Sequence, residues 1–406
     1  MGFQQGLSGL NAASKSLEVT GNNVANSSTV GFKGSRAEFA DVYAASLTGG
    51  GSSQVGIGTS IDAVAQQFSQ GNVTATNNPL DIAINGGGFF RMSNNGTVTY
   101  SRNGQFQLDK NGFIVNAQGL HLTGYAANSK GVLATGAPAD LNINTADLPP
   151  QATTAVKLLV NLDSRETPPV TTPFSSTDPT SYNRSTAISI FDSLGNSHIV
   201  QGYFVKTAAN TWDVYGTSDG APLNTPKIGT LTFGPDGALT AASPQPFAAS
   251  ATVATGATTP LNFKVDFTGT TQFGASFSLN TQNQDGYSSG KLSGFNTGAD
   301  GTIVGRYTNG KSATLGQVVL ASFTDPNGLQ NLGNNEFAET STSGGPLIGA
   351  PKSGGLGVLQ SSAVEESNVD LTAELVNLIT AQRFYQANAQ TIKTQDQVLQ
   401  TLVNLR

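Results

Sequence analysis

A chain of 406 residues with a net charge of −6 and only 11% charged side chains is long enough for two or three domains, yet offers nothing that would hold nucleic acid or an anionic membrane. The absence of cysteine removes disulfides, thiolate catalysis and thiolate metal sites together. Charge is well below the roughly 25% of an ordinary soluble domain, so solubility rests on hydroxyl and amide groups, and the 48 glycines fit many short strands joined by tight turns.

The chain opens on a helical pattern. Phe3, Leu10, Leu17 and Val24 recur at heptad spacing with Leu7 between the first two, which marks one face of a helix. Ser14 and Gly21 occupy the other positions of that second row, so the stripe is narrow. Ala12, Ala13 and Lys15 favour helix, and Gly21-Asn22-Asn23 is expected to fray it. No basic stretch followed by a continuous apolar core stands here, so no cleavable secretion signal is expected. No apolar run nears the roughly 20 residues of a membrane span.

From Asn22 to Gly34 the asparagines, hydroxyls and glycines turn the chain out of the helix. Residues 36–43 are of mixed polarity, 49–53 form a Gly/Ser hinge, and 55–68 alternate as extended chain. The whole span 28–71 is expected to be a connector. A first β region follows. Residues 80–84 and 89–92 read as strands separated by the triple glycine 86–88. Residues 98–108 and 113–115 read as a hairpin around Asp109-Lys110-Asn111-Gly112, and 119–125 as a further strand. Asp147-Leu148-Pro149-Pro150 marks a boundary, and the insert 147–285 holds most of the 17 prolines. There Val156, Leu158, Val160 and Leu162 alternate, 187–205 read as a hairpin, and 212–215, 231–233 and 261–267 complete an all-β module, a sandwich or a barrel. From about residue 286 the glycine-rich style returns.

The last stretch, Glu365 to Arg406, has neither Gly nor Pro. Leu371, Leu378, Tyr385, Ile392 and Leu399 recur at heptad spacing, with Leu375, Ala389 and Val403 on the neighbouring row and interruptions at Gln382 and Asp396. Such a helix, about 60 Å long at 1.5 Å per residue, needs a partner for its stripe, and Phe3 to Val24 is the available one. Val376 and Ile379 widen the apolar face near Leu371, which favours packing against further subunits over closure of one monomer. The outer face is rich in uncharged amides, Gln386, Asn388 and Gln390 among them, and suits dense packing without fixed charge. The expected fold is therefore mainly β with terminal α-helices, nested as multiple domains. Residues 1–27 with 366–406 form a coiled-coil-like helical assembly domain. Residues 72–146 with 286–365 form a discontinuous β domain, and 147–285 an inserted β-sandwich or barrel.

Chemistry is sparse. The triple glycine lacks the Lys-Ser/Thr of a phosphate loop and reads as a tight strand connection. Asp109–Gly112 and Asp325–Gly328 have too few carboxylates for calcium and read as turns. His121 and His198, the only histidines, fall in separate expected domains, which leaves little for a Ser-His-Asp triad. No catalytic residue, cofactor or metal site is expected. An assembling structural protein, a secreted β-module adhesin and a polysaccharide-acting enzyme remain open on the residues alone, the last disfavoured by the scarcity of Glu in the β regions.

Longer motifs narrow this. Leu10-Asn11-Ala12-Ala13, the run through Asn22, Asn23, Ala25 and Asn26, and Thr29-Val30-Gly31-Phe32-Lys33 resemble the signature of bacterial flagellar rod and hook axial proteins, with Val30 where Pro is commoner. Residues 80–90, Tyr100-Ser101-Arg102-Asn103-Gly104, Ser367-Asn368-Val369-Asp370-Leu371 and 382–388 are similar to the family's later blocks. The long insert and Gly305–Gly310 with Leu315-Gly316 resemble the hook branch, whereas distal rod subunits are shorter. The resemblance implies subunits that leave through the flagellar type III export apparatus and stack into a curved, torque-passing tube whose terminal helices line a channel. The implied partners are further copies of the chain, the distal rod protein, the hook–filament junction proteins, the hook cap and the export apparatus, with no nucleic acid and no membrane insertion. It also implies a short aromatic export-gate motif, matched by Phe39 and Tyr43 with Tyr in place of a second Phe.

Overall fold

The computed structural model describes residues 2–42, 56–94, 96–128 and 131–404. Two helices bracket the chain, α1 (Gly2–Ala25) and α2 (Leu371–Asn404). The described residues between them are strands, turns and two short 3-10 turns, so the fold is mainly β with terminal α-helices. α2 is about 51 Å long at 1.5 Å per residue and begins where Asp370 caps it. The Asp370 carboxylate accepts from the backbone N–H groups of Thr372 at 2.8 Å and Ala373 at 3.2 Å, two of the donors a helix start leaves free. The fraying expected at Gly21-Asn22-Asn23 is corrected, because α1 continues to Ala25. The Asn23 side chain is buried there and exchanges two hydrogen bonds with the backbone of Ser35, which offsets the helix cost of Gly21, about 1 kcal/mol.

The chain divides into two compact units, residues 1–144 with 294–305 and 312–406, and residues 145–293 with 306–311. In the first, the span expected to be a connector holds a hairpin. Strand β1 (Ser35–Val42) pairs antiparallel with β2 (Gly58–Gln66), Phe39 opposite Ile61. The hairpin lies along α1, where Gln5 Nε2 donates to the Gly56 carbonyl at 2.6 Å and the Thr59 N–H to Ser8 Oγ at 3.3 Å. The Gly/Ser stretch 49–53 falls outside the described residues.

The β portion of this unit is knit from both halves of the chain. Val73–Ala75 pairs with Ala363–Glu365, and Ile82–Asn85 with Val358–Ser361. In the main sheet Phe89–Asn94 lies between Thr97–Ser101 and His121–Ala126, and Glu336–Ala338 joins beyond Thr97–Ser101. Phe68, Phe89, Tyr100, Phe323 and Phe337 meet edge to face with centroids 4.7–5.9 Å apart, a favourable ring geometry. The hairpin expected over 98–115 is much shorter than that: Thr97–Ser101 belongs to the main sheet, and only Gln107–Leu108 pairs with Ile114–Val115 around the Asn-Gly turn. The chain breaks between them because Arg102 turns inward to a buried charge cluster.

The second unit is a sandwich. One sheet runs Phe247–Ala251, Leu261–Asp266, Ala155–Asn161, Ser278–Gln284; the other is the meander Arg184–Phe191, Ser197–Ala208, Thr211–Ser218, Ala221–Thr232. The alternating Val156, Leu158 and Val160 face Phe204, Trp212 and Val214 in one core, and the buried Trp212 Nε1 donates to Gln272 Oε1 at 3.0 Å. At one end His198 sits between two carboxylates, Nδ1 at 2.6 Å from Asp219 and Nε2 at 3.2 Å from Asp192. Burial disfavours the imidazolium, but the hydrogen bonds and charges of Asp219 and Asp192 outweigh it and raise the His198 pKa above its ordinary 6.5. A raised folded-state pKa adds stability that is complete below about 6.5 and is lost as pH rises through the shifted value. The thermal stability of the full chain is therefore expected to fall as pH rises from 6.5 through the raised His198 value, and His198→Asn should flatten that slope. An unchanged slope in the variant would contradict the pairing.

Candidate self-assembly site

The two helices lie antiparallel, Gly6 beside Ile392 and Gly9 beside Asn388. A Cβ added at Gly6 would come 2.9 Å from Ile392 Cγ1, and one at Gly9 2.6 Å from Asn388 Oδ1, so the helix axes approach as closely as glycine allows. Further along, Ala13, Val19, Thr20 and Asn23 on α1 and Ala381 on α2 are the buried residues. This corrects the expectation that the two leucine stripes pack on each other. The helices are partners, but apart from Ile392, which lies against Gly6, they meet largely through the flank beside each stripe. Leu10, Leu17 and Val24 on α1 and Leu378, Ala389 and Ile392 on α2 are only half-buried. Phe3 and Leu7 remain exposed, as do Leu371, Leu375, Tyr385, Leu399 and Val403. Val376, Ile379 and Phe384 extend the open apolar surface of α2. The interruptions Gln382 and Asp396 also face outward.

The N-terminal motif forms the joint at the base of this pair. Asn26 bonds back to Asn22, its Nδ2 at 2.9 Å from the Asn22 carbonyl, and closes the end of α1 around the exposed Ala25. Gly31 has φ +71°, and a Cβ there would meet the Asn103 backbone N at 2.6 Å, so only glycine fits. Its N–H donates to the Glu365 carbonyl at 2.7 Å. Phe32 is buried beside it. Lys33 is buried and its Nζ donates to Glu365 Oε1 at 2.7 Å and to the Ser69 carbonyl at 2.8 Å. Arg102 Nη1 donates to Glu365 Oε2 at 3.1 Å, Nη2 to the Gly86 carbonyl at 2.7 Å, and the guanidinium lies 5.5 Å from the Phe89 ring centre. The Gly71 N–H completes the set on Glu365 at 2.9 Å. Two cations thus share one carboxylate in a dry site. Burial pushes the Lys33 pKa down more than Glu365 pulls it up, and the Arg102 charge adds to the depression. Asn368 ties the same segments again, accepting from the Gly34 N–H at 2.8 Å and donating to the Gln67 carbonyl at 2.7 Å.

Glu365, Arg102 and Asn368 were not singled out by residue type or spacing. Glu365 and Arg102 stand among few other charges and Asn368 is one of many amides, so residue type alone does not mark them. Phe39 lies on the hairpin with an exposed ring, and Tyr43 falls outside the described residues. His121 stacks on Phe113 with Nδ1 at 2.8 Å from Asp140. It lies in the first unit and His198 in the second. Among the described residues no three His, Asp or Glu converge as metal ligands do.

Comparison with known proteins finds four matched segments along the chain. Residues 3–33 match the profile described as flagella basal body rod protein, and 83–160 the flagellar hook protein FlgE/F/G D1 domain. Residues 161–287 match the flagellar basal body protein FlaE D2 domain, and 360–405 the flagellar basal body rod FlgEFG protein C-terminal. The flagellar hook protein FlgE of Escherichia coli strain K12 is 44% identical over 415 residues, covering 100% of both chains. That of Salmonella typhimurium is 44% identical over 417 residues, also covering 100% of both. That of Borreliella burgdorferi is 33% identical over 441 residues, covering 99% of this chain and 98% of its own. The crystal structure of Helicobacter pylori flagellar hook protein FlgE2 shares the fold, with a TM-score of 0.54 at 15% identity, over 72% of this chain and 100% of that one. With identity of this level running from end to end, the chain belongs to the flagellar hook protein family.

Proposed function

We propose that the chain is the structural subunit of a bacterial flagellar hook, polymerising into a curved, bendable tube that passes torque from rod to filament and encloses an export channel. The observation that carries this reading is the helix pair itself. It is held where Gly6 and Gly9 of α1 admit Ile392 and Asn388 of α2, and it leaves Phe3, Leu7, Leu371, Leu375, Val376 and Ile379 open to solvent. Apolar surface of this kind marks an interaction site. End-to-end identity with hook proteins favours this reading over a distal rod subunit or an adhesin, and the family is a structural one.

In this reading residues 1–27 with 366–406 form the inner, channel-lining layer. The hairpin span 28–71 joins that layer to the β domain, 72–146 with 286–365, and the insert 147–285 lies outside. The neighbours are further copies of the chain, the distal rod protein, the hook–filament junction proteins and the hook cap. Export passes through the flagellar type III apparatus without a cleaved signal, and Phe39 with Tyr43 serves as its aromatic motif before folding. Leu375→Glu with Ile379→Glu is expected to abolish concentration-dependent polymerisation, read by light scattering, and to leave the melting temperature within about 2 °C, because exposed positions contribute little to subunit stability. Polymerisation at the wild-type concentration would overturn the assigned surface.

A further inference from the structure

The helix pair is unfinished at one end and open at the other. Beyond Ile392, which lies against Gly6, the row of α2 that faces α1 continues through Gln395 to Leu399. There Val398, Leu399 and Val403 are 49%, 50% and 73% exposed. At the base the helices part instead of closing. The last turns of α1, the first turns of α2 and the start of β1 enclose a cleft of about 370 Å³, within the roughly 300–1,000 Å³ that holds a compact ligand and room for a few side chains. Val19, Ala381 and Phe384 give it an apolar floor, and Ser16, Asn377 and Thr380 a polar rim.

We propose that the last turns of α2 in one copy seat in this basal cleft of the next, so that subunits stack head to tail along the helical layer. The proposal rests on the hook-subunit reading and names the surfaces it uses. Continuity supports it: the row that ends without a partner among the described residues at the tip resumes against α1 of the following copy. Direction supports it as well. Copies in a stack share one orientation, so the incoming α2 meets the next α1 in the antiparallel sense that the two helices already adopt within a chain. The chemistry matches too. Val398, Leu399 and Val403 face the apolar floor, and Gln397 and Gln400 the hydroxyl and amide rim. The two patches differ, so the contact is heterologous and does not close on itself, which gives an open polymer.

The chain has no cysteine, so engineered pairs test this directly. In Ser16→Cys/Val403→Cys and in Asn377→Cys/Leu399→Cys the two positions of one chain lie about 30 Å apart along the helices. A disulfide needs Cα atoms within about 7 Å, so any bond formed joins two copies. Tubes assembled in reducing buffer and then oxidised should run on a non-reducing gel as a ladder of dimers, trimers and higher species for at least one pair, while each single-cysteine variant stops at dimers. Tubes that give no ladder with either pair would overturn the docking and leave the hook-subunit reading standing. Dimers alone from both pairs would also overturn it, since they indicate an isologous contact. If the unsubstituted chain forms no tubes, the hook-subunit reading itself fails and the docking fails with it.

Discussion

Glu365→Ala is expected to destabilise the first unit by about 3–5 kcal/mol, the cost of stranding a buried charge without its counter-ion. Lys33 and Arg102 both point at this one carboxylate, and the side chains of Lys33 and Glu365 have no solvent access. Water cannot take over the role of the missing anion. The loss also releases the Gly71 N–H and loosens the strand pairing of Ala363–Glu365 with Val73–Ala75. Glu365→Gln combined with Lys33→Met and Arg102→Met should recover much of the deficit, because removing the whole charge cluster is far cheaper than removing its one anion. Two probes separate the units. Trp212 is the only tryptophan and lies in the second unit, so its emission should report unchanged unfolding while far-ultraviolet dichroism shifts to lower denaturant. A shift below about 1 kcal/mol in Glu365→Ala would mean that the cluster is wetter than its burial indicates.

Deleting residues 371–406 should leave both β portions folded and abolish assembly at every concentration. The cut spares Glu365 and Asn368, so the joint to Lys33, Gly34 and Arg102 stays intact. It removes the helix against which Gly6 and Gly9 lie. Besides Gly2 at its start, α1 holds glycines at positions 6, 9 and 21, each costing about 1 kcal/mol of helix propensity, and most of the stability of a helix in a protein comes from packing. Helical dichroism is therefore expected to fall by more than the share of α2 alone. Tubes formed by the truncated chain would refute a helical assembly layer.

The terminal helices were legible because heptad spacing reports a face, and the closeness of two such faces at opposite ends of the chain made them natural partners. Which flank of each helix meets the other was not legible. Gly6, Gly9 and Ala13 carry no hydrophobic signal, and the large residues that do, Phe3, Leu7 and Leu375, are the ones left outside. An apolar pattern marks surface that will be buried, without saying whether its own chain or another copy buries it. The hairpin of β1 and β2 was half legible. Period-two alternation over 55–68 was visible, but strand pairing across a Gly/Ser stretch leaves no local mark. The sandwich strands through Val156–Val160 and Ile188–Ile190 stood out by alternation, whereas their division into two sheets depends on long-range pairing. The joint was the least legible part. Lys33, Arg102 and Glu365 lie far apart in sequence and converge only in the fold, and each alone reads as an ordinary surface charge. Gly31 belongs to the quoted motif, but the reason for it, a backbone passing Asn103 too closely for any Cβ, is visible only in three dimensions.

Negative-stain microscopy of the concentrated, unsubstituted protein tests the central claim most directly. Curved tubes of uniform diameter, absent from Leu375→Glu/Ile379→Glu, are the predicted result. A protein that stays monomeric at every concentration, or that aggregates without tubular order, would contradict it.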